Sequence, residues 1–433
     1  MKKIKKTGKS DKKPKKELFQ SPRGMADILP VQQPWWDKLI GIGQELAGLY
    51  DFGRIETPIL EFAGIFEKSL GEATEVLEKQ MFIVKTKGGD RLAMRPETTA
   101  SVMRAYFQHH LSYGQQPFKV YSFGPMFRYE HPQAGRFRQF HQFNFDIIGD
   151  TDPLYDAQII LLFWRFLQLL KIPGLTPQVN TVGCRVCRQH YLRRLKEYYG
   201  KLKNKICKDC QRRLEINPLR LFDCKEEQCL PLKAAAPNML DNLCQACNSH
   251  FRAVLEHLEE NKFPYEPNPF LVRGLDYYSR TFFEIFGGSE KTAIAAGGRY
   301  DYLSEMIGPR LVPAVGGALG MERVIEIIKS ESLFIFKAPV KIYFITIGEQ
   351  AKKCGLRVME ELRHAGVKIA ESLGKDSLKA QLGAADKMKA KLVLIFGQKE
   401  VFEETIIIRD MASGAQENIA LSRVVEEVKK RLR

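Results

Sequence analysis

"FRYEHPQAGRFRQFHQFNFDIIG", residues 127–149, alternates apolar and polar residues as a strand does, yet it also carries three arginines, a glutamate, an aspartate and two histidines. Successive side chains of a strand point to opposite faces of its sheet. Gln142, Asn144 and Asp146 therefore share one face, and Phe143, Phe145 and Ile147 share the other. On the preceding strand, Arg128 and Glu130 lie opposite Phe127 and Tyr129. One face is expected to pack on a core. The other becomes a polar floor of fixed donors and acceptors, and the loop between the strands carries His131, Gln133 and Arg136, within reach of a bound anion. A polar sheet face can also simply meet water. Such a face favours Lys, Glu and Thr over a single cluster of Arg, Glu, Gln, Asn and Asp.

Working outward, 433 residues exceed one compact core, and two or three domains are expected. Hydrophobic residues make up 44% and charged residues 27%, as in globular chains. No apolar run is long enough to span a membrane, and the N-terminal lysines have no apolar segment behind them. A cytoplasmic chain with no membrane partner is expected. The net charge is +16. Residues 1–17 hold nine lysines against Asp11 and Glu17, and residues 1–19 are expected to form a disordered tail. That tail supplies +7 and leaves +9 for the body. A basic body with a basic tail points to a polyanion such as nucleic acid, although solubility alone also favours charge.

Along the chain, 34–50 reads as a helix, 53–62 as a strand, and 91–111 as a strand, a break at Pro96 and a helix. Residues 118–130 and 136–149 read as a long hairpin around Pro132 and Gly135, and 152–172 as a largely buried helix. Residues 174–262 interrupt this rhythm with basic residues and cysteines, as an inserted module would. Strands resume over 270–287, followed by 293–308 and 313–330. From 338 to 433, strands at 340–347, 391–397 and 403–410 alternate with helices at 350–366 and 421–433, which predicts a small α/β domain.

These stretches resemble one family. Residues 127–149 resemble the second signature motif of class II aminoacyl-tRNA synthetases. "LVRGLDYYSRTFFE" (271–284) and "AAGGRYDYL" (295–303) resemble the two signatures particular to the histidyl-tRNA synthetases. "VGGALGMERV" (315–324) resembles the third class II motif and "TPILEFAGIFEKSLGE" (57–72) the first, and "RGMADILP" (23–30) and "RPETT" (95–99) fit the same family. The resemblance runs in the family's order from about residue 20 to 433. It implies an α+β protein with three parts: a class II antiparallel-sheet catalytic core (20–173 and 263–333), the Cys-rich inserted module (174–262) and a C-terminal α/β anticodon-binding domain (338–433). It implies a homodimer that takes L-histidine, ATP with Mg2+, and tRNA(His).

The resemblance also implies roles. Joining a carboxylate to the α-phosphorus of ATP brings two anions together, so fixed cations stabilise the transition state. Arg128 is expected to grip the α-phosphate and Arg273 to approach from the far side, touching carboxylate and phosphate. Arg136 and Arg323 are expected on the outer phosphates, with Glu130 also on the nucleotide. Asp146 and Tyr278 are expected at the two imidazole nitrogens, and Glu97, Thr99 and Gln142 at the ammonium group. Tyr277 and Thr98 line the pocket, and Gly297 and Gly298 let backbone come close. Tyr277 and Tyr278 would face opposite ways on a regular strand, which favours Tyr278 for the pocket. His131 and Gln133 belong to the loop that meets the tRNA acceptor end. Three positions depart from the family pattern: Thr98 stands where Gly is common, His131 where Arg is common, and Asp146 where Glu is common.

Nine cysteines are present, and eight come in pairs, as "CRVC" (184, 187), "CKDC" (207, 210), "CKEEQC" (224, 229) and "CQAC" (244, 247). In a reducing compartment this spacing reads as one or two structural Zn2+ sites rather than disulfides, or as unliganded thiols in an insertion. The pairing stays open; Cys184, Cys187, Cys207 and Cys210 form the most regular set. Two other protein classes compete with the enzyme. One is a non-catalytic, synthetase-like regulatory subunit of ATP phosphoribosyltransferase, which generally lacks the C-terminal domain and the catalytic arginines. The other is a zinc-containing RNA-binding module, which has no use for "RGLDYY" or "GGRYDYL".

Overall fold

The computed structural model describes residues 19–70, 81–129, 137–273, 277–289, 291–336, 342–372, 374 and 377–432. Two compact units divide the chain, residues 1–335 and 336–433. No helix among the described residues is long and apolar enough to cross a membrane.

The first unit is organised by an eight-stranded sheet. Its order is Gly53–Arg54, Phe118–Phe127, Gln139–Ile148, Ala314–Gly320, Thr292–Arg299, Ser279–Gly287, Thr176–Thr181 and Glu266–Pro267. All neighbours pair antiparallel except the short strands at the two edges. The hairpin forms in the register that alternation requires, with Tyr121 opposite Phe145 and Phe127 opposite Gln139. Phe143, Phe145 and Ile147 are buried under the helices Gln33–Leu49 and Pro153–Leu169. The Phe143 ring meets Phe166 edge-on at 5.2 Å, and Phe145 meets Phe163 at 5.6 Å. Each such pair adds about 0.5–1.5 kcal/mol to simple area burial. The opposite face, with Gln142 and Asn144, opens on a cavity.

The strand expected over 53–62 is two short strands in different sheets: Gly53–Arg54 in the large sheet, and Leu60–Phe62 in a three-stranded sheet with Arg91–Met94 and Ile83–Lys85. Thr57 and Pro58 lie between them, and proline removes a ladder donor. The insertion was expected from residue 174, but Thr176–Thr181 is a strand of the large sheet, paired with Ser279–Gly287. The helices of the cysteine-rich segment begin at Arg185. Its last helix, Gln245–Glu260, places Phe251, Val254 and Leu258 in the core of the first unit.

The second unit is a five-stranded sheet in the order Ile369–Glu371, Ile342–Thr346, Leu392–Phe396, Thr405–Asp410, Gln416–Ala420. The first three are parallel and the last two join antiparallel. Ile342–Thr346 and Leu392–Phe396 are buried throughout, as central strands covered on both faces must be. The lysine-bearing segment 377–391 contains the helix Leu378–Lys387.

Strand Thr292–Arg299 approaches Ala314–Gly320 through paired glycines, Gly297 opposite Gly317 and Gly298 opposite Gly316. A Cβ on Gly297 would fall 2.6 Å from the Cα of Gly317 and 2.8 Å from the Phe283 ring. Gly297→Ala is therefore expected to lower stability by ~1–3 kcal/mol through overpacking. A melting temperature equal to wild type would contradict the tight approach.

Candidate active site

A cavity of about 280 Å³ lies over the polar face of the large sheet. Seven of the expected residues line it: Glu97, Thr99, Arg128, Gln142, Arg273, Tyr277 and Tyr278. They come from four separate stretches. Glu97 and Thr99 stand at the start of the helix Thr99–Gln108, where the Glu97 carboxylate accepts the backbone N–H of Thr99 at 2.7 Å and of Ala100 at 3.0 Å. Arg128 follows the first hairpin strand. Its Nε donates to the carbonyl of Pro96 at 3.0 Å, which ties it to the Glu97 segment. Arg95, itself buried, holds the same region by donating to Thr57 O at 2.7 Å and to Pro125 O at 3.1 Å.

Arg273 pairs with Glu284, and its Nη2 donates to the Tyr278 hydroxyl at 3.4 Å. Burial opposes its charge, but Tyr278 and Glu284 outweigh burial and hold the guanidinium protonated. Tyr277 and Tyr278 both line the cavity, their ring centroids 4.9 Å apart. The strand begins only at Ser279, so strand alternation does not separate the two rings.

Two polar side chains line the cavity without a role assigned from the sequence, Asn144 and Tyr300. Asn144 was legible as a member of the polar face. Tyr300 follows the glycine pair, just past a register shift between Gly298 and Arg299. Its hydroxyl donates to Asp146 Oδ1 at 2.5 Å. Asp146 does not itself line the cavity; it sits behind Tyr300, and a Cβ on its cross-strand neighbour Gly316 would collide with its carboxyl. Thr98 is buried outside the cavity lining, as are Gly297 and Gly298. Arg323 is also outside it. It stands on the first turn of the helix Met321–Ser330, donating to Ala293 O at 2.7 Å, directly after the strand whose Gly316, Gly317 and Ala318 line the cavity. Glu130, His131, Gln133 and Arg136 lie outside the described residues.

The site is electrostatically divided. Arg128 and Arg273 supply fixed positive charge, while burial raises the pKa of Glu97. Burial also lifts Asp146 to about 7, with Glu97 adding to the rise and the Tyr300 hydrogen bond opposing it. The folded state therefore keeps a proton on Asp146 that the unfolded chain releases near pH ~4. Stability from this group is full below about pH 4 and is lost as pH rises toward 7. Asp146→Asn is expected to gain on wild type by ~2–4 kcal/mol between about pH 5 and pH 8 in ligand-free melting. A wild-type-to-variant gap that does not move with pH would contradict this.

The eight paired cysteines form two clusters, but not the set that spacing favoured. Cys184 and Cys187 join Cys244 and Cys247, and Cys207 and Cys210 join Cys224 and Cys229; within each cluster all sulfurs lie within 4.8 Å of one another. Folding brings the first and last pairs together because each opens a helix, Arg185–Gly200 and Gln245–Glu260. Sulfur separations of 3.6 Å (Cys184–Cys187) and 3.9 Å (Cys207–Cys224) bracket the ~3.8 Å edge of a tetrahedral zinc–thiolate site. Backbone N–H groups already point at the sulfurs, Cys244 N to Cys187 Sγ at 3.1 Å and Cys207 N to Cys229 Sγ at 3.3 Å. Burial works against ionising Cys184, but hydrogen bonds from Cys187 and Val186 prevail and bring it down to about 7.

An antiparallel-rich sheet flooring a cavity that holds two convergent arginines, with a separate small sheet unit after it, defines a class II aminoacyl-tRNA synthetase fold. Residues 24–196 and 210–324 match the family model for histidyl-tRNA synthetase, and residues 341–431 match that for the anticodon binding domain. A histidine–tRNA ligase of Dehalococcoides mccartyi is 41% identical over 419 residues, which cover 96% of this chain and all of the relative. The crystal structure of S. aureus apo histidyl-tRNA synthetase superposes with a TM-score of 0.77 at 30% identity, covering 95% of this chain and 100% of that one. A Bacillus halodurans C structure described as an ATP phosphoribosyltransferase regulatory subunit/histidyl-tRNA synthetase shares the fold at a TM-score of 0.64 and 18% identity, over 88% of this chain and 99% of that one. The chain belongs to the histidyl-tRNA synthetase family.

Proposed function

We propose that the protein activates L-histidine with ATP and transfers it to the 3′-terminal adenosine of tRNA(His). The observation that carries this is the convergence of Arg128 and Arg273 on the cavity that also holds Glu97, Gln142 and three tyrosines. A histidine carboxylate oxygen attacks the α-phosphorus and pyrophosphate leaves. Arg128 and Arg273 offset the charge that gathers on the phosphate oxygens. ATP enters as its magnesium complex, so magnesium arrives with the substrate. Arg136 and Arg323 take the outer phosphates, with Glu130 on the nucleotide.

Glu97, Thr99 and Gln142 hold the ammonium group. Tyr278 and the Tyr300–Asp146 pair address the two ring nitrogens. A site built to hydrogen-bond a polar ring rejects analogues that leave its own buried groups unpaired. In the second step a hydroxyl of the terminal ribose attacks the activated carbonyl and AMP leaves. His131 and Gln133 are assigned to recognition of the acceptor end, and the C-terminal unit, with the helix Leu378–Lys387, to the anticodon arm.

The active form is a homodimer. Leu60 and Phe62 are exposed at 42% and 62% while Glu61 between them is buried against Arg104, the reverse of a solvated strand. Val84 of the same sheet, in register with Phe62 through Leu92, is also exposed, so an apolar face awaits a second copy. Both tetrathiolate clusters hold structural Zn2+, each with four sulfurs and no open position. Free thiols fit a reducing cytoplasm. The test is ATP-dependent charging of tRNA with labelled histidine; folded dimer that charges no tRNA would end the proposal.

A further inference from the structure

The two thiol clusters stand in different relations to the cavity. Both contribute to the insertion's own core, which holds Cys187 and Cys247 as well as Cys210, Cys224 and Cys229, with Tyr199, Leu214 and Phe222. The cluster of Cys184, Cys187, Cys244 and Cys247 is in addition tied to the wall of the cavity from both of its cysteine pairs.

From Cys244 and Cys247 the route runs along the helix Gln245–Glu260 to His250, which is 8% exposed. Arg280 Nη1 lies 3.1 Å from His250 Nδ1, and a guanidinium only donates. Nδ1 therefore accepts, and the ring proton sits on Nε2, which donates to Asp156 Oδ1 at 3.3 Å. The other oxygen of Asp156 accepts Arg299 Nε at 2.9 Å and Nη2 at 2.5 Å. Arg299 is wholly buried and also donates to the carbonyls of Asp150 at 2.8 Å and Asp152 at 3.1 Å. The next residue is Tyr300, which lines the cavity and holds Asp146.

From Cys184 the route is shorter. Arg185 stacks on Tyr302 at 3.9 Å and pairs with Glu305 at 2.6 Å. Gly183, just before Cys184, accepts the backbone N–H of Arg280 at 2.8 Å. Both cysteine pairs therefore lead to residues 299–305, whereas among the described residues the hydrogen bonds Cys207 N–Cys229 Sγ, Cys210 N–Cys207 Sγ and Cys207–Cys224 tie the second cluster to itself.

We propose that a zinc ion held by Cys184, Cys187, Cys244 and Cys247 sets the position of Tyr300 through His250, Asp156 and Arg299, and so sets the affinity for histidine, whereas the second ion only folds the insertion. His250 is a positioning residue; it touches no substrate. The proposal rests on the histidine-activating function and on thiolate metal binding.

The experiment compares the full-length chain with Cys244→Ser, Cys224→Ser, His250→Ala and His250→Gln. Zinc per chain is counted by elemental analysis, and KM for histidine and for ATP is read from pyrophosphate exchange. Two zinc ions per native chain are expected. Cys244→Ser loses one and raises the histidine KM ~10–100-fold, leaving the ATP KM within about twofold. Cys224→Ser loses the other ion with both KM values unchanged. His250→Ala keeps both ions and raises the histidine KM alone. His250→Gln restores it to within a few-fold, because an amide can accept from Arg280 and donate to Asp156.

Equal effects of the two cysteine variants, an unmoved histidine KM in His250→Ala, or an equal rise in both KM values would overturn the proposal. So would a native chain without zinc. If Cys244→Ser does not fold, His250→Ala against His250→Gln decides alone. Native exchange with histidine is measured first, so failure of the functional assignment shows there and failure of the coupling shows only among the variants.

Discussion

Arg273→His is expected to slow histidine-dependent pyrophosphate exchange by about a thousandfold, close to 4 kcal/mol in the barrier, while raising the histidine KM only a few-fold. In the free protein Arg273 is already held, paired with Glu284 and bonded to Tyr278, and it lines the same cavity as Arg128. A guanidinium fixed before substrate arrives needs no reorganisation when charge develops on the α-phosphate, and its planar fork can meet carboxylate and phosphate oxygens together. Imidazole is shorter, offers at most two donors and loses its charge near neutrality. The loss therefore falls on kcat. Equal losses in kcat and in histidine binding would place Arg273 in ground-state binding and contradict a role in the transition state.

Asp156→Asn is expected to have the largest effect on stability. Arg299 has no exposed side-chain surface, and Asp156 is its principal counter-ion. Removing one partner of such a pair strands a charge in the interior and costs ~3–5 kcal/mol. Burial alone would raise the Asp156 pKa, but the Arg299 guanidinium offsets burial and holds it below the ordinary aspartate value. Its stabilisation is therefore present above about pH 4 and is lost as pH falls through the depressed folded value. Thermal melting near neutral pH checks the first claim, and an Asp156→Asn protein that melts with wild type would refute it. An acid-induced loss equally steep in wild type and variant would refute the second.

The parts of the molecule that sequence made legible are those governed by periodicity and local chemistry. Alternation separated Phe143 and Phe145, now core, from Gln142 and Asn144, now lining a cavity. Helical spacing and glycine stops located Gln33–Leu49 and Glu349–His364. What stayed hidden depends on contacts between distant segments. Cysteine spacing grouped 184, 187, 207 and 210, but the fold joins the first pair to the last because Cys184 and Cys244 open neighbouring helices. Tyr300 lies beyond a register shift, so no strand pattern could assign its side. Asp146 was expected at the substrate ring, and a tyrosine hydroxyl stands between, consistent with the shorter reach of aspartate where glutamate is common. The His250–Asp156–Arg299 chain left no local signal, since its members are 49 to 143 residues apart.

The most direct measurement is pyrophosphate exchange into ATP with each of the twenty amino acids in turn, using full-length protein shown to be folded. The structure leads to exchange with histidine alone. Exchange driven by a different amino acid, or none with saturating histidine, would contradict the proposal that Arg128 and Arg273 bring ATP and histidine together in this cavity.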